Sequence, residues 1–120
     1  MTFTIPIRTR STLNLREHWA VKAKRVKQER WATYWAATAI KSSALTRYRN
    51  RCEFGEPVTV TLVRISPRPL DDDNLRGALK GVRDEIAKLL GIDDRDPVVR
   101  WDYGQRKGKP KEHAVEVDIR

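Results

Sequence analysis

Three consecutive aspartates, Asp71 to Asp73, precede Asn74 in a chain of 120 residues whose formal net charge is +9. Adjacent carboxylates repel one another, and the repulsion raises the pKa of one of them unless a cation neutralises the charge. Mg²⁺ and Mn²⁺ prefer oxygen ligands and often bind beside phosphate groups. If residues 70 to 73 are extended, Asp71 and Asp73 point to the same side, because side chains alternate along a strand. The cluster therefore predicts a divalent-cation site.

A second acidic cluster contains Asp93, Asp94 and Asp96 and follows an apolar stripe of helical period. Aspartates are also ordinary in a turn before a strand, so this cluster alone is a weak indication. The first cluster has an alternative interpretation too, because negative charge at a helix N-terminus is favoured by the helix dipole. The residues alone leave open whether the aspartates bind a cation or only cap and turn the chain.

The excess of positive over negative charge lies entirely in the first half of the chain. Residues 1–52 contain twelve Lys and Arg against two Glu, a balance of +10, whereas residues 53–120 contain thirteen basic and fourteen acidic residues, a balance of −1. Such asymmetry is typical of proteins that bind a polyanion, and we expect nucleic acid; a solvated helix face is the alternative. The candidate phosphate-binding residues are Arg8, Arg10, Arg16, Lys22, Lys24, Arg25, Lys27 and Arg30, with Lys107 and Lys109 in a later basic loop.

Hydrophobic periodicity predicts the elements that position these residues. Residues 2–9 alternate as a short strand, and Pro6 places that strand at an edge or limits its length. A helix, possibly broken, is predicted from about 16 to 48, followed by a loop at 49–57. A second strand is predicted to end at Pro67, directly before the acidic cluster.

A second helix is predicted from about 75 to 90, with Asp73 as N-cap and Gly91 as its end. Two further strands, at residues 98–105 and 113–120, are separated by the basic loop 106–112. The order β-α-β-α-β-β predicts one α+β domain over residues 1–120, with a small mixed or antiparallel sheet of about four strands packed against two main helices.

The remaining reactive residue types are interpreted as structural. Cys52 is the only cysteine, so an intramolecular disulfide is impossible, and we expect it to be partly buried. Neither His18 nor His113 neighbours a plausible nucleophile. Aromatic residues at helical spacing are more typical of a core than of base stacking, which stays the alternative here. These aromatic residues are Trp19, Trp31, Tyr34 and Trp35.

The segment around both acidic clusters resembles a known family. "DDDNLRGALKGVRDEIAKLLGIDDRDPVV", residues 71–99, is similar to the core of the RusA-like Holliday-junction resolvases, whose pattern is Asp-x-Asp-Asn-Leu, a helix, then Asp-Asp before a strand. "TLNLREHW", residues 12–19, resembles their N-terminal segment, so the likeness spans most of the chain.

The resemblance implies a dimeric, Mg²⁺-dependent endonuclease of prophage type that cuts four-way DNA junctions, with Mn²⁺ as a possible substitute. It assigns Asp71, Asp73 and Asp94 as catalytic metal ligands. The family lysine falls at Gly77 here, so Lys80 is the candidate phosphate contact in its place. Lys80 lies seven residues after Asp73 and hence on about the same face of a continuous helix.

Geometry adds an expectation about assembly. A helix from about 75 to 90 is roughly 24 Å long, and the three residues after it return at most about 10 Å, so Asp94 does not reach Asp73 of its own chain. A two-fold dimer would complete each site with Asp94 of the partner chain. The alternatives are a basic dimer that binds nucleic acid without catalysis, and a Mg²⁺ nuclease for flaps or other branched DNA.

The sequence also predicts a location. It contains no apolar run of about 20 residues, and its start lacks the basic-then-apolar order of a signal peptide. We therefore expect a cytoplasmic protein without membrane association.

Overall fold

The computed structural model describes residues 1–10, 18–40 and 42–120, with only the backbone of residue 42. These residues form four strands and four helices, which confirms an α+β fold. In chain order the elements are β1 (Thr2–Ile5), α1 (Trp19–Thr38), α2 (Ser42–Glu53), β2 (Val58–Ser66), α3 (Asp72–Ala78), α4 (Lys80–Leu89), β3 (Val99–Lys107) and β4 (Ala114–Ile119).

The four strands form one mixed sheet in the order β1-β4-β2-β3. β2 and β3 are parallel, whereas β4 runs antiparallel to both β1 and β2. β1 lies at an edge and stops before Pro6, as predicted, because proline has no N–H to donate to a neighbouring strand. The carboxyl end of β2, Ser66, is paired with Lys107 of β3.

The core lies between the sheet and the helices. Val58, Val60 and Leu62 of β2 alternate inward and are at most 1% exposed. The apolar stripe that predicted the second helix is buried in the same cluster through Val82 and Ile86. The predicted stripe and strand thus pack against each other, which sets the acidic cluster at the end of β2.

The first predicted helix is two helices, and its boundaries were partly wrong. The chain leaves α1 after Thr38, whose hydroxyl donates to the Tyr34 carbonyl at 2.8 Å and so competes for a helical acceptor. α2 continues to Glu53, through most of the predicted loop, and ends before Gly55, whose φ of +73° suits a helix C-terminus. The predicted start at Arg16 lies outside the described residues.

The second predicted helix begins earlier and is interrupted. Asp71, not Asp73, is the N-cap, because its side chain accepts a hydrogen bond from the Asn74 N–H at 2.9 Å. The prediction of an extended 70–73 segment was therefore wrong for Asp72 and Asp73, which are helical, whereas Asp71 is extended. Leu79, at φ −96° and ψ 1°, separates α3 from α4. Gly91, at φ +71°, follows the end of α4 as predicted.

Two further points concern the surface. β3 runs to Lys107, so Arg106 and Lys107 belong to a strand, while Lys109 lies in the loop that follows. In the described part of the chain, no helix is both long and apolar enough to span a membrane.

Candidate functional site

The acidic turn, Asp71 to Asp73, lies where the chain passes from β2 into α3. Asp71 Oδ1 accepts two hydrogen bonds from Asn74, at 2.9 Å from the backbone N–H and at 2.7 Å from Nδ2. Asp72 and Asp73 occupy the first helical turn and are exposed. The positive end of the helix dipole stabilises all three charges, so capping accounts for part of this cluster.

Asp94 lies in a separate turn after α4 and is held by Arg83. Arg83 Nη2 donates to the Asp94 carbonyl at 2.7 Å, and its Nε lies 3.6 Å from the Asp94 carboxylate. The same guanidinium donates to the Tyr103 hydroxyl at 2.6 Å and covers the Trp101 ring at 4.8 Å. Arg83 therefore ties the Asp94 turn to β3, a role that sequence reasoning missed.

Asp93 beside it is shaped by local hydrogen bonds. Its Oδ1 accepts the Arg95 N–H at 2.9 Å, and this bond, followed by one from Asp94, lowers the pKa of the Asp93 carboxyl. The pKa falls because a hydrogen bond to the ionised form of a carboxyl group stabilises that form.

A single chain does not gather the predicted metal ligands. Among the described residues, no three His, Cys, Asp or Glu side chains lie close enough to hold one cation. Asp72 of the acidic turn lines a cleft with Trp101 and Tyr103, whereas Asp94 lines another cleft. Whether a partner chain brings Asp94 to the acidic turn stays a prediction.

Lys80 lies with Asp94 rather than with the acidic turn. It shares with Asp94 a shallow cleft of about 390 Å³, and its Nζ is 3.3 Å from the Asp84 carboxylate. The interruption at Leu79 removes the continuous helix on which its predicted alignment with Asp73 depended. The alignment of Lys80 with Asp73 is left untested by this break, and a phosphate contact through the exposed Lys80 likewise stays a prediction.

The basic face of α1 is partly neutralised by carboxylates. Arg25 lies 3.6 Å from Glu29, and Arg30 Nε lies 3.0 Å from Glu85 on α4. The remaining predicted contacts on this helix, Lys22, Lys24 and Lys27, are exposed, as are Lys107 and Lys109. Arg16 is not among the described residues.

The aromatic residues of α1 are exposed, contrary to the core interpretation. Exposure is 76% for Trp19, 63% for Trp31, 55% for Trp35 and 41% for Tyr34. Trp19, Trp31 and Tyr34 line an open groove of about 820 Å³ between α1 and α4. The aromatic residues do recur at helical spacing, but they lie on the exposed face of α1. The buried face of this helix carries Glu29, Thr33 and Ala37. Base stacking by these rings stays a prediction.

Cys52 is buried, as predicted, at 7% exposure. Burial is the main cause that raises the pKa of its thiol, with the Asp96 charge adding to it. A thiol with a raised pKa holds less of the reactive thiolate, so Cys52 is a structural residue.

An unpredicted cationic site adjoins the acidic turn. We call it the arginine cleft; it has a volume of about 820 Å³ and opens beside the carboxyl end of β2. The sequence holds one signal for this cleft: Arg64 continues the alternation of Val60 and Leu62, so its side chain points inward with theirs. The cleft is lined by Arg8, Thr9, Arg10, Arg64, Ser66, Pro67, Arg68, Leu70, Asn74 and His113.

The comparisons with known proteins leave the family open: no protein-family model matches this chain, and no curated protein matches it. At the level that the fold defines, the chain is an α+β protein with a mixed four-stranded sheet. Its distinctive surface is an acidic turn with an arginine-lined cleft at the end of the central strand β2.

Proposed function

We propose that this protein is a Mg²⁺-dependent endodeoxyribonuclease that hydrolyses phosphodiester bonds at four-way DNA junctions and acts as a homodimer in the cytoplasm. The observation that carries the proposal is the placement of exposed carboxylates beside a cluster of arginines. A metal-dependent nuclease uses both features, because cationic side chains hold the scissile phosphate while a metal ion held by carboxylates acts on it. The resemblance of residues 71–99 to the RusA-like resolvases narrows the proposal to branched DNA.

The residues fit a hard cation. Asp73 is exposed, and among the described residues no hydrogen bond or ion pair occupies its carboxylate. Asp71 uses Oδ1 for both of its hydrogen bonds to Asn74. Asp71 and Asp73 would hold the ion together with Asp94 of the partner chain. The donor set is carboxylate oxygen, which suits Mg²⁺ or Mn²⁺. When bound, such an ion lowers the pKa of water and neutralises charge on the phosphate.

The chain's own residues supply binding and positioning. Arg83 orients the Asp94 turn through its bond to the Asp94 carbonyl. Asn74 fixes the Asp71 carboxylate through its side-chain amide. The exposed lysines of α1 attract the phosphate backbone without reading its sequence.

The second candidate function is nucleic-acid binding without catalysis. One observation favours it: Asp71 caps α3, and Asp72 and Asp73 lie at the favourable end of that helix, so the acidic turn has a structural use. This candidate predicts a mobility shift with junction DNA and no products.

Cleavage of a labelled mobile junction with Mg²⁺ decides between the two. We expect products from the junction, few or none from linear duplex or a flap, and none with EDTA. Asp73→Asn should reduce cleavage at least about 100-fold, because a metal ligand contributes several kcal/mol to transition-state stabilisation. Asp72→Asn is the matched control, since it removes the same charge from the same turn. Binding without cleavage, or equal loss in both variants, would contradict the metal-site assignment.

A further inference from the structure

The arginine cleft brings together cationic side chains from three segments of the chain. Arg8 and Arg10 follow β1, Arg64 lies in β2, and Arg68 lies just beyond β2, while His113 precedes β4. Each segment alone contributes only one or two of these side chains. The tertiary structure concentrates these groups around one opening of about 820 Å³.

Arg64 is the floor of this cleft and is only 7% exposed. It is held by neutral acceptors: Nε donates to the Thr9 hydroxyl at 3.2 Å, Nη2 to the Thr9 carbonyl at 3.3 Å and Nη1 to the Arg68 carbonyl at 2.9 Å. These bonds fix the guanidinium, but among the described residues no carboxylate compensates its charge. A buried cation without a counter-charge is costly unless an anion completes the site.

No carboxylate lines the cleft, and none of its arginines forms a salt bridge among the residues that the structure describes. Burial, together with repulsion between neighbouring cations, lowers the pKa of two of its members. Burial and the nearby Arg8 lower the pKa of Arg64. Burial, then Arg8, Arg64 and Arg10, lower the pKa of His113. The cleft therefore disfavours one more positive charge and favours an anion.

The cleft adjoins the acidic turn. Asn74 lines the cleft and donates from its side chain to Asp71 at 2.7 Å. A nucleic-acid strand with one phosphate at the acidic turn would therefore place a neighbouring phosphate at the cleft. Guanidinium groups bind phosphate oxygens through paired N–H donors, so the chemistry of the cleft suits this group.

We infer that the arginine cleft binds a backbone phosphate of a nucleic-acid strand, through Arg8, Arg64, Arg68 and His113, next to the acidic turn. The inference rests on the proposed function for the identity of the strand, but not for the phosphate chemistry of the cleft. It assigns the cleft to substrate positioning, apart from the metal ligands.

The test measures binding in EDTA, where no cleavage occurs. The probe is a fluorescein-labelled four-way junction, and the readout is anisotropy over a range of salt concentrations. Arg8→Gln with Arg68→Gln should weaken binding at least about tenfold, because charge-assisted hydrogen bonds are lost. The slope of log affinity against log salt should fall by about one. Both residues are exposed, so the fold should survive, and a thermal melt verifies it.

The matched control is Arg47→Gln with Arg100→Gln, which removes the same charge from exposed positions outside the cleft. The control should lose less than about threefold in affinity, since it changes only the long-range field. Equal losses in the two double variants would overturn the inference, because general electrostatics would then account for binding.

A second arm identifies the source of the phosphate. The ring resonances of His113 are followed by NMR during titration with a four-nucleotide oligothymidylate and, separately, with inorganic phosphate. We expect the oligonucleotide to shift them at a concentration at least about tenfold lower, since flanking phosphates meet further cations. Equal potency of inorganic phosphate would overturn the assignment to a strand. Both binding experiments can still be interpreted if the junction-cleavage assay fails. The phosphate site and the nuclease activity can therefore be disproved separately.

Discussion

Arg83 Nη2 donates to the carbonyl oxygen of Asp94 at 2.7 Å, so one side chain of α4 fixes the turn that carries a predicted metal ligand. The other arm of Arg83 donates to the Tyr103 hydroxyl at 2.6 Å, and its plane covers Trp101. This clamp holds the Asp94 turn against β3. Through Arg83 of α4, the strand β3 is thus linked to the Asp94 backbone.

Arg83→Gln tests the clamp. Loss of hydrogen bonds to a charged donor should cost about 1 to 3 kcal/mol of unfolding free energy, measured by urea denaturation. Junction cleavage should fall about tenfold or more while affinity in EDTA stays within about twofold, because support of a metal ligand is lost. Arg95→Gln, an exposed arginine in the same turn, is the control. Unchanged cleavage in Arg83→Gln would remove Asp94 from the site.

Mixed dimers test whether Asp94 acts in the partner chain. Asp73→Asn and Asp94→Asn chains should each be inactive as homodimers. In a heterodimer of the two, one site has both variants and the other has neither, so about half of the wild-type cleavage should return per dimer. The measurement is nicking of a labelled junction by isolated heterodimers. Their inactivity would contradict a site shared between chains.

His113 predicts how stability depends on pH. Its folded-state pKa lies below the ordinary value of 6.5, so the unfolded chain takes up a proton first as the pH falls. The contribution of His113 to the unfolding free energy is therefore fully present above about pH 6.5 and declines below it. Melting temperatures between about pH 8 and pH 5 should fall for the wild type and for His18→Gln, but less for His113→Gln. Parallel curves for all three would show that the cleft does not repel the imidazolium.

The exposed ring of Trp31 predicts a role at the surface rather than in the core. Trp31→Ala should leave the unfolding free energy within about 0.5 kcal/mol of the wild type. If the ring stacks on an unpaired base, junction affinity should fall by about 1 to 3 kcal/mol, measured by anisotropy. Phe54→Ala, an exposed aromatic at 78%, is the control for affinity. A destabilisation of about 3 kcal/mol or more would place Trp31 in a packed core.

Leu79 links α3 to α4 and is 0% exposed. Leu79→Ala should cost about 2 to 5 kcal/mol in urea denaturation, through lost burial and the cavity left behind. Val21→Ala, on the exposed face of α1, should change stability by less than about 0.5 kcal/mol. If Leu79→Ala were equally mild, the packing of the interrupted helix against the sheet would be wrong.

Most elements followed from local patterns. Alternation in residues 57–66 predicted β2, and the apolar stripe over 75–90 predicted the helical region that covers the sheet. Pro6 correctly marked the end of β1 and Gly91 the end of α4, because proline lacks an N–H donor and glycine adopts a positive φ without strain. The fold class followed from the order of these elements, whereas the sequence left open whether the sheet is mixed or antiparallel.

The helix boundaries were harder to predict from the sequence. Asp71, Asp72 and Asp73 are all suitable N-caps, and only the folded backbone selects the one whose carboxylate meets the Asn74 N–H. The interruption at Leu79 has no comparable local signal, since leucine is a good helix former. Its side chain is completely buried, so packing against the sheet, rather than propensity, places it.

What the sequence determined by itself is therefore the four strands, the two helical regions and the position of the acidic cluster between them, since these depend on neighbouring residues. The arginine cleft was decided only by the tertiary structure. Arg8, Arg64 and His113 meet because β4 pairs with both β1 and β2, in a register that sets Arg64 opposite Val115. Pairing between distant strands depends on the packing of the whole sheet, which local patterns do not encode, and with it came the concentration of positive charge beside Asp71.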